Sequence, residues 1–103
     1  MATQELEYGH VNSEADLREI FAEIRGDVAA ASSRDELTRL YRQAEYLITL
    51  TYVPAWQKKF GDRVDALRRT AEAEFTTVAR AINRRAAEVG TAADYDETWG
   101  PGR

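Results

Sequence analysis

One apolar stripe near the C-terminal end constrains the fold of this 103-residue chain more than any other feature. Its members recur at spacings of three and four residues, which places their side chains on one face of a helix. They are Phe60, Val64, Leu67, Ala71, Phe75, Val78, Ile82, Ala86 and Val89. The stripe predicts a helix over residues 54–89, with Pro54 in its first turn and Gly90 as its C-cap. Gly61 would also permit a break, but the stripe keeps its phase there, which favours a continuous helix.

Two shorter apolar stripes precede this one and predict helices over residues 14–31 and 35–52. The second helix starts at a capping box, in which Ser33 and Glu36 each satisfy a free backbone N–H of the first turn. Pro54 ends it, because the proline ring disfavours a helical conformation at the preceding residue. Short links between helices imply antiparallel neighbours. We therefore predict an all-α three-helix bundle, built on an antiparallel hairpin of the second and third helices.

The segments outside the predicted helical domain, residues 13–90, lack a helical repeat. Residues 1–12 predict a weakly ordered N-terminal arm, with a short strand as the alternative. Residues 91–103 form an acidic, aromatic tail whose glycines and proline favour an extended conformation.

The third predicted helix is much longer than its neighbours, at roughly 54 Å against roughly 27–29 Å. The second helix can then cover it only as far as Phe75, so that the third helix overhangs the bundle. Each large apolar side chain left in water forgoes roughly 1.5–3 kcal/mol. We therefore predict an interface with a second copy or another protein, formed by Phe75, Val78, Ile82 and Val89. The alternative is that the helix bends or breaks at Gly61 and its end folds back over the bundle.

Composition excludes several classes of protein. The chain has no cysteine, which rules out disulfides, thiolate catalysis and cysteine-bound metals. It has no run of about 18 apolar residues that could span a membrane. It also lacks the basic start and apolar block of a secretory signal, so we expect a cytoplasmic protein.

Residues able to carry catalysis are scarce. His10 is the only histidine, so neither a Ser-His-Asp triad nor a paired-histidine metal site has its parts. Glu19 and Glu23 lie one turn apart but off the apolar stripe, where solvated charges belong. The glycines are isolated and form no phosphate-binding loop. We predict no catalytic residue, no metal and no cofactor, and therefore a protein that is not an enzyme.

The arginines of the third helix support a second hypothesis. Arg80, Arg84 and Arg85 could lie along a phosphate backbone, as in a nucleic-acid-associated subunit of a larger complex. Acidic residues are interspersed among these bases, however, and such mixtures are typical of a solvated, ion-paired helix face. The net charge of −4 also argues against a general affinity for nucleic acid.

The tail carries two large aromatic residues, Tyr95 and Trp99, four positions apart among acids. They predict a short linear motif that docks on a partner, with folding back onto the bundle as the alternative. Together with the overhanging helix, they lead to the main functional hypothesis. The chain is predicted to be a non-enzymatic interaction or assembly module, a homodimer or a subunit bound to a protein partner.

Overall fold

The fold is all-α, as predicted. A computed structural model describes residues 8–91 and 94–99, and these residues contain helices but no strand. The helices are α1 (Glu14–Ala30), α2 (Arg34–Leu50), α3 (Pro54–Phe60) and α4 (Val64–Glu88), with a 3-10 turn at Gly61–Arg63 between the last two. None of the described helices combines the length and the apolar character needed to cross a membrane.

Both of the first two helices begin at a serine cap. The Ser13 hydroxyl accepts a hydrogen bond from the backbone N–H of Asp16 at 3.3 Å. At the start of α2, the Ser33 hydroxyl accepts from the N–H of Glu36 at 3.2 Å, and the Glu36 carboxylate accepts from the N–H of Ser32 at 3.1 Å. The predicted capping box is therefore confirmed, with its return bond going one residue further back than the usual pattern.

The third helical segment is not continuous, and the expectation of an unbroken helix at Gly61 is wrong. Gly61 has φ of +55°, a backbone conformation that residues with a Cβ rarely adopt. A 3-10 turn then leads into α4. Three residues of 3-10 helix make one turn, nearly the 3.6 residues of an α-helical turn. The apolar spacing therefore passes from Phe60 to Leu67 without a phase shift, although the backbone bends.

The short helix α3 closes one end of the bundle. Trp56 and Phe60 are buried and meet edge to face, with ring centroids 5.4 Å apart. Between them in sequence, Lys59 Nζ donates to the carbonyl oxygens of Gly9 at 2.9 Å and Val11 at 2.7 Å. These bonds tie the segment before α1 to α3.

Part of the predicted N-terminal arm belongs to the core. The Tyr8 and Val11 side chains are buried, and the Tyr8 hydroxyl accepts from Gln43 Nε2 at 3.0 Å. In the described end of the arm, residues 8–12, Tyr8 and Val11 therefore pack against the helices. Residues 1–7, which the same prediction covers, lie outside the described part of the chain.

The pairing of α4 with α2 starts well after Pro54. The Arg68 guanidinium donates to the Thr51 hydroxyl at 3.1 Å and to the Thr51 carbonyl at 2.8 Å, at the end of α2. Further along, the Tyr41 and Phe75 rings pack with centroids 5.4 Å apart. The helices are antiparallel, but α4 is displaced along α2 because α3 and the 3-10 turn occupy the residues before it.

Helix α1 runs parallel to α4 and covers its other flank. Arg25 and Glu74 form an ion pair with an N–O distance of 2.6 Å. Beyond the end of α1, Arg85 Nε donates to the carbonyl oxygen of Ala31 at 2.8 Å. Helix α4 therefore lies beside α1 and α2 almost to its own C-terminus.

This register overturns the geometry behind the predicted interface. Phe75, Val78 and Ile82 are 0 % exposed within the single chain, and Val89 is half-buried. The helix does not overhang, because its break at Gly61 brings these side chains level with α1 and α2. The first three are core residues of the chain, and self-association remains a prediction that has to use another surface.

Replacing Gly26 by alanine tests the energetics of α1. Gly26 lies inside the helix, and a Cβ built on it meets no atom within 4 Å. We expect Gly26→Ala to raise the free energy of unfolding by roughly 0.5–1 kcal/mol, because alanine loses less backbone entropy in a helix. Urea unfolding measures the change.

Gly61→Ala is the matched control. Its Cβ would also meet open space, but its positive φ strains any side chain, so this variant should be less stable than the parent. A loss of stability in Gly26→Ala would contradict the assignment of Gly26 as a merely tolerated helix glycine.

The capping box predicts a pH dependence. The Ser32 backbone N–H and the Ser33 hydroxyl hold the pKa of the Glu36 carboxyl below its ordinary value of 4.5. Because the folded pKa lies below the unfolded one, this stabilisation is present above pH 4.5 and is lost as the pH falls through the folded pKa. We expect Glu36→Gln to flatten the acid limb of a plot of unfolding free energy against pH.

Glutamine retains a side-chain acceptor for the cap, so Glu36→Gln should remain folded at neutral pH. Glu36→Ala removes the acceptor and should be less stable at every pH. An acid limb unchanged in Glu36→Gln would show that other carboxylates produce it.

Candidate functional site

The C-terminal tail folds back into a groove between α2 and α4. Tyr95 stacks on Tyr41 with ring centroids 4.4 Å apart, and Trp99 meets Phe75 edge to face at 6.1 Å. Both tail aromatics are partly buried against the core. We call this surface the tail groove and define it by the residues that contact the tail, which are Thr38, Tyr41, Phe75, Arg80 and Asn83.

The groove binds the main chain of the tail directly. Asn83 Nδ2 donates to the carbonyl oxygen of Tyr95 at 2.9 Å, and the Tyr95 N–H donates to Asn83 Oδ1 at 3.0 Å. The Tyr41 hydroxyl donates to the carbonyl oxygen of Asp96 at 2.9 Å. One amide side chain thus pairs with both backbone groups of a single residue. These bonds do not depend on which side chains the bound segment carries.

The side chains of the tail make further polar contacts. The Tyr95 hydroxyl hydrogen-bonds the Thr38 hydroxyl. Glu97 accepts from Asn83 Nδ2 at 3.1 Å and pairs with Arg80 Nε at 3.5 Å. The Arg80 and Glu97 side chains are 62 % and 42 % exposed. This ion pair therefore contributes little to the stability of the fold, and its main effect is to favour an acidic residue opposite Arg80.

The end of α4 directs the chain back toward the groove. Gly90 has φ of +77°, and its N–H donates to the carbonyl of Ala87 at 3.3 Å. The Thr91 N–H donates to the carbonyl of Ala86 at 2.9 Å. Together these bonds form a Schellman motif with glycine in its left-handed position. The predicted C-cap at Gly90 is confirmed, and it starts the return of the tail.

For the tail, the structure shows the folded-back arrangement that we set beside docking on a partner. Sequence reasoning singled out Tyr95 and Trp99 but missed Thr38 and Asn83, which bind the tail. Both are polar residues beside an apolar stripe, and no spacing distinguishes them from ordinary solvated positions.

The three arginines proposed for nucleic acid do not form one set. Arg80 pairs with the tail through Glu97. Arg85 donates to the Ala31 carbonyl beyond the end of α1, while Arg84 is exposed. Two of the three predicted contacts are therefore engaged within the chain, which weakens the nucleic-acid hypothesis.

A second cleft lies beside the only histidine. Its lining is mixed, with acidic, aromatic and aliphatic side chains from the N-terminal turn, α1 and α2, namely Tyr8, His10, Ile20, Glu23, Ile24, Asp27 and Gln43. Among the described residues, no group of three histidine, aspartate or glutamate side chains is arranged to hold a metal ion.

Comparisons with known proteins place the chain in no family. It matches no family model, no curated protein and no solved structure. The functional inference therefore depends on the tail groove itself.

Trp99→Ala tests the stability of the folded-back tail. We expect the free energy of unfolding to fall by about 1–2 kcal/mol, less than the roughly 3–5 kcal/mol for a fully buried tryptophan. The physical reason is the lost contact with Phe75. Urea unfolding followed by circular dichroism measures the change.

Asp94→Asn is the control, because Asp94 is an exposed tail residue and its substitution should change stability by less than about 0.5 kcal/mol. Equal stability of Trp99→Ala and the parent would mean that the tail does not hold this position in solution.

Proposed function

We propose that this chain is a non-enzymatic protein–protein interaction module, an adaptor or accessory subunit of the cytoplasm, that acts through its tail and the tail groove. The observation that carries the proposal is the pairing of Asn83 with both backbone groups of Tyr95. Peptide-recognition sites commonly combine main-chain hydrogen bonds with pockets for spaced side chains. The tail groove combines main-chain hydrogen bonds from Asn83 with contacts to two spaced side chains, Tyr95 and Trp99.

The burial of the tail differs from that of the core, and this difference supports an exchangeable contact. Phe75 and Val78 are fully buried, whereas Tyr95 and Trp99 are only partly buried. Segments with few buried contacts open at a lower free energy than the whole fold. Release of the tail would expose apolar surface around Phe75 while α1, α2 and α4 stay packed on one another.

Self-association fits the proposal only through such a surface. An interface built from Phe75, Val78 and Ile82 would require the bundle to open, because all three are in its core. Val89 is half-buried next to Gly90, where the tail begins. A dimer or a complex with another protein can use the tail and its groove without opening the core of the bundle.

Capture of partners by variants of the full chain tests the proposal. We expect the immobilised parent to retain a specific protein. The Asn83→Ala variant should retain at least tenfold less of that protein, because it lacks the hydrogen bonds from Asn83 to the main chain of the bound segment. Arg84→Ala is the matched control on the same helix, since Arg84 is exposed and lies outside the tail groove as defined. Quantitative mass spectrometry of the bound fraction measures the ratio.

Two results would contradict the proposal. One is a chain that light scattering shows to be monomeric and that retains no protein. The other is binding of nucleic acid that falls steeply with salt and is lost in Arg84→Ala, which would favour the second hypothesis.

A further inference from the structure

Building on the proposed function, we infer that the tail groove binds an acidic segment of a partner protein, in place of the chain's own tail, with a tyrosine and a tryptophan four residues apart. The tail shows the chemistry that the groove accepts. Asn83 and Tyr41 hold the backbone, Tyr41 also stacks on Tyr95, and Phe75 contacts Trp99.

The spacing of the two aromatics follows from the geometry of α4. Asn83 and Phe75 are eight positions apart on one helix, a rise of about 12 Å. Tyr95 and Trp99 are four positions apart, and four residues of extended chain span at most about 13 Å. Four residues of non-helical chain running back along α4 are therefore long enough to reach both sites, and the tail does so with bends at Glu97 and Thr98. We expect one inserted residue to shift the tryptophan relative to Phe75 and so to weaken that contact.

The charge between the aromatics is also selected. Arg80 and the Asn83 amide both face the Glu97 carboxylate, at 3.5 Å and 3.1 Å. A basic residue at this position would meet the Arg80 guanidinium and be repelled. The groove therefore favours an acidic residue two positions after the tyrosine.

The covalent link between the tail and its own chain bears on whether a second copy or a different protein can replace the tail in the groove. A short flexible link gives a tethered segment an effective concentration of about millimolar. The tail of a second copy would make the same contacts and would also lose translational freedom on association. The tail of a second copy therefore has no advantage in binding free energy over the chain's own tail. A partner protein can add contacts outside the groove, and its segment can then displace the tail.

A synthetic peptide of residues 91–103 tests the inference on the full chain. The receptor is the variant Tyr95→Ala/Trp99→Ala, whose own tail has lost both aromatic contacts. We expect saturable binding in isothermal titration calorimetry, at least tenfold weaker for the parent chain, whose tail competes. The same peptide with one alanine inserted between Asp96 and Glu97 should bind at least tenfold less tightly.

Adding the substitution Asn83→Ala to the receptor should also weaken peptide binding at least tenfold. Circular dichroism establishes that each receptor is folded. If the double variant does not fold, the single variant Trp99→Ala replaces it as receptor. A folded receptor without saturable binding at millimolar peptide, or one that binds the parent and spacing-altered peptides equally, overturns the inference.

The outcomes separate the inference from the proposed function. If the peptide fails but partner capture still depends on Trp99, the tail docks on its partner, so the groove inference is wrong and the proposed function stands. A dimer of the parent chain that forms with rising concentration and is lost in Trp99→Ala would make a second copy the occupant. That result would overturn the assignment to a different protein.

Discussion

The backbone conformation at Gly61 determines the register on which the rest of the structure depends. With φ of +55°, it ends α3 and lets the 3-10 turn redirect the chain into α4. Arg68 consequently meets Thr51 at the end of α2, and Ile82 comes to lie inside the bundle. A straight helix from Pro54 would instead leave its second half without neighbours. The same register brings the end of α4 close to the start of α2, so that the returning tail enters the groove between them.

Local features of the fold could be predicted from the sequence, and non-local ones could not. The capping box at Ser33 and the C-cap at Gly90 involve residues within five positions of one another, so their spacing contains the necessary information. The apolar stripe likewise identifies which side chains are buried. It does not identify what buries them, because the register between helices depends on contacts far apart in sequence. The stripe correctly predicts that Phe75 and Ile82 are buried, but the side chains that bury them belong to the same chain.

The tail groove shows the same limit at the functional site. Tyr95 and Trp99 could be singled out because large aromatics are unusual in an acidic tail. Asn83 and Thr38 could not, because a polar residue at the edge of an apolar stripe is ordinarily solvated. They acquire a role only when the tail returns along α4, and that return depends jointly on the Schellman motif at Gly90 and on the register of the bundle.

The contacts of the tail are intermediate between those of the core and those of an exposed ion pair. A segment held by a fully buried cluster would be part of the core, and no partner could displace it at a reasonable cost. A segment held only by an exposed ion pair such as Arg80–Glu97 would have no preferred position. Here one aromatic stack, one edge-to-face contact and a few main-chain hydrogen bonds hold the tail at intermediate burial. Helices α1, α2 and α4 have their own packed core beneath these contacts. We therefore expect occupancy of the groove to change without loss of the fold, which is the property that an exchangeable binding site needs.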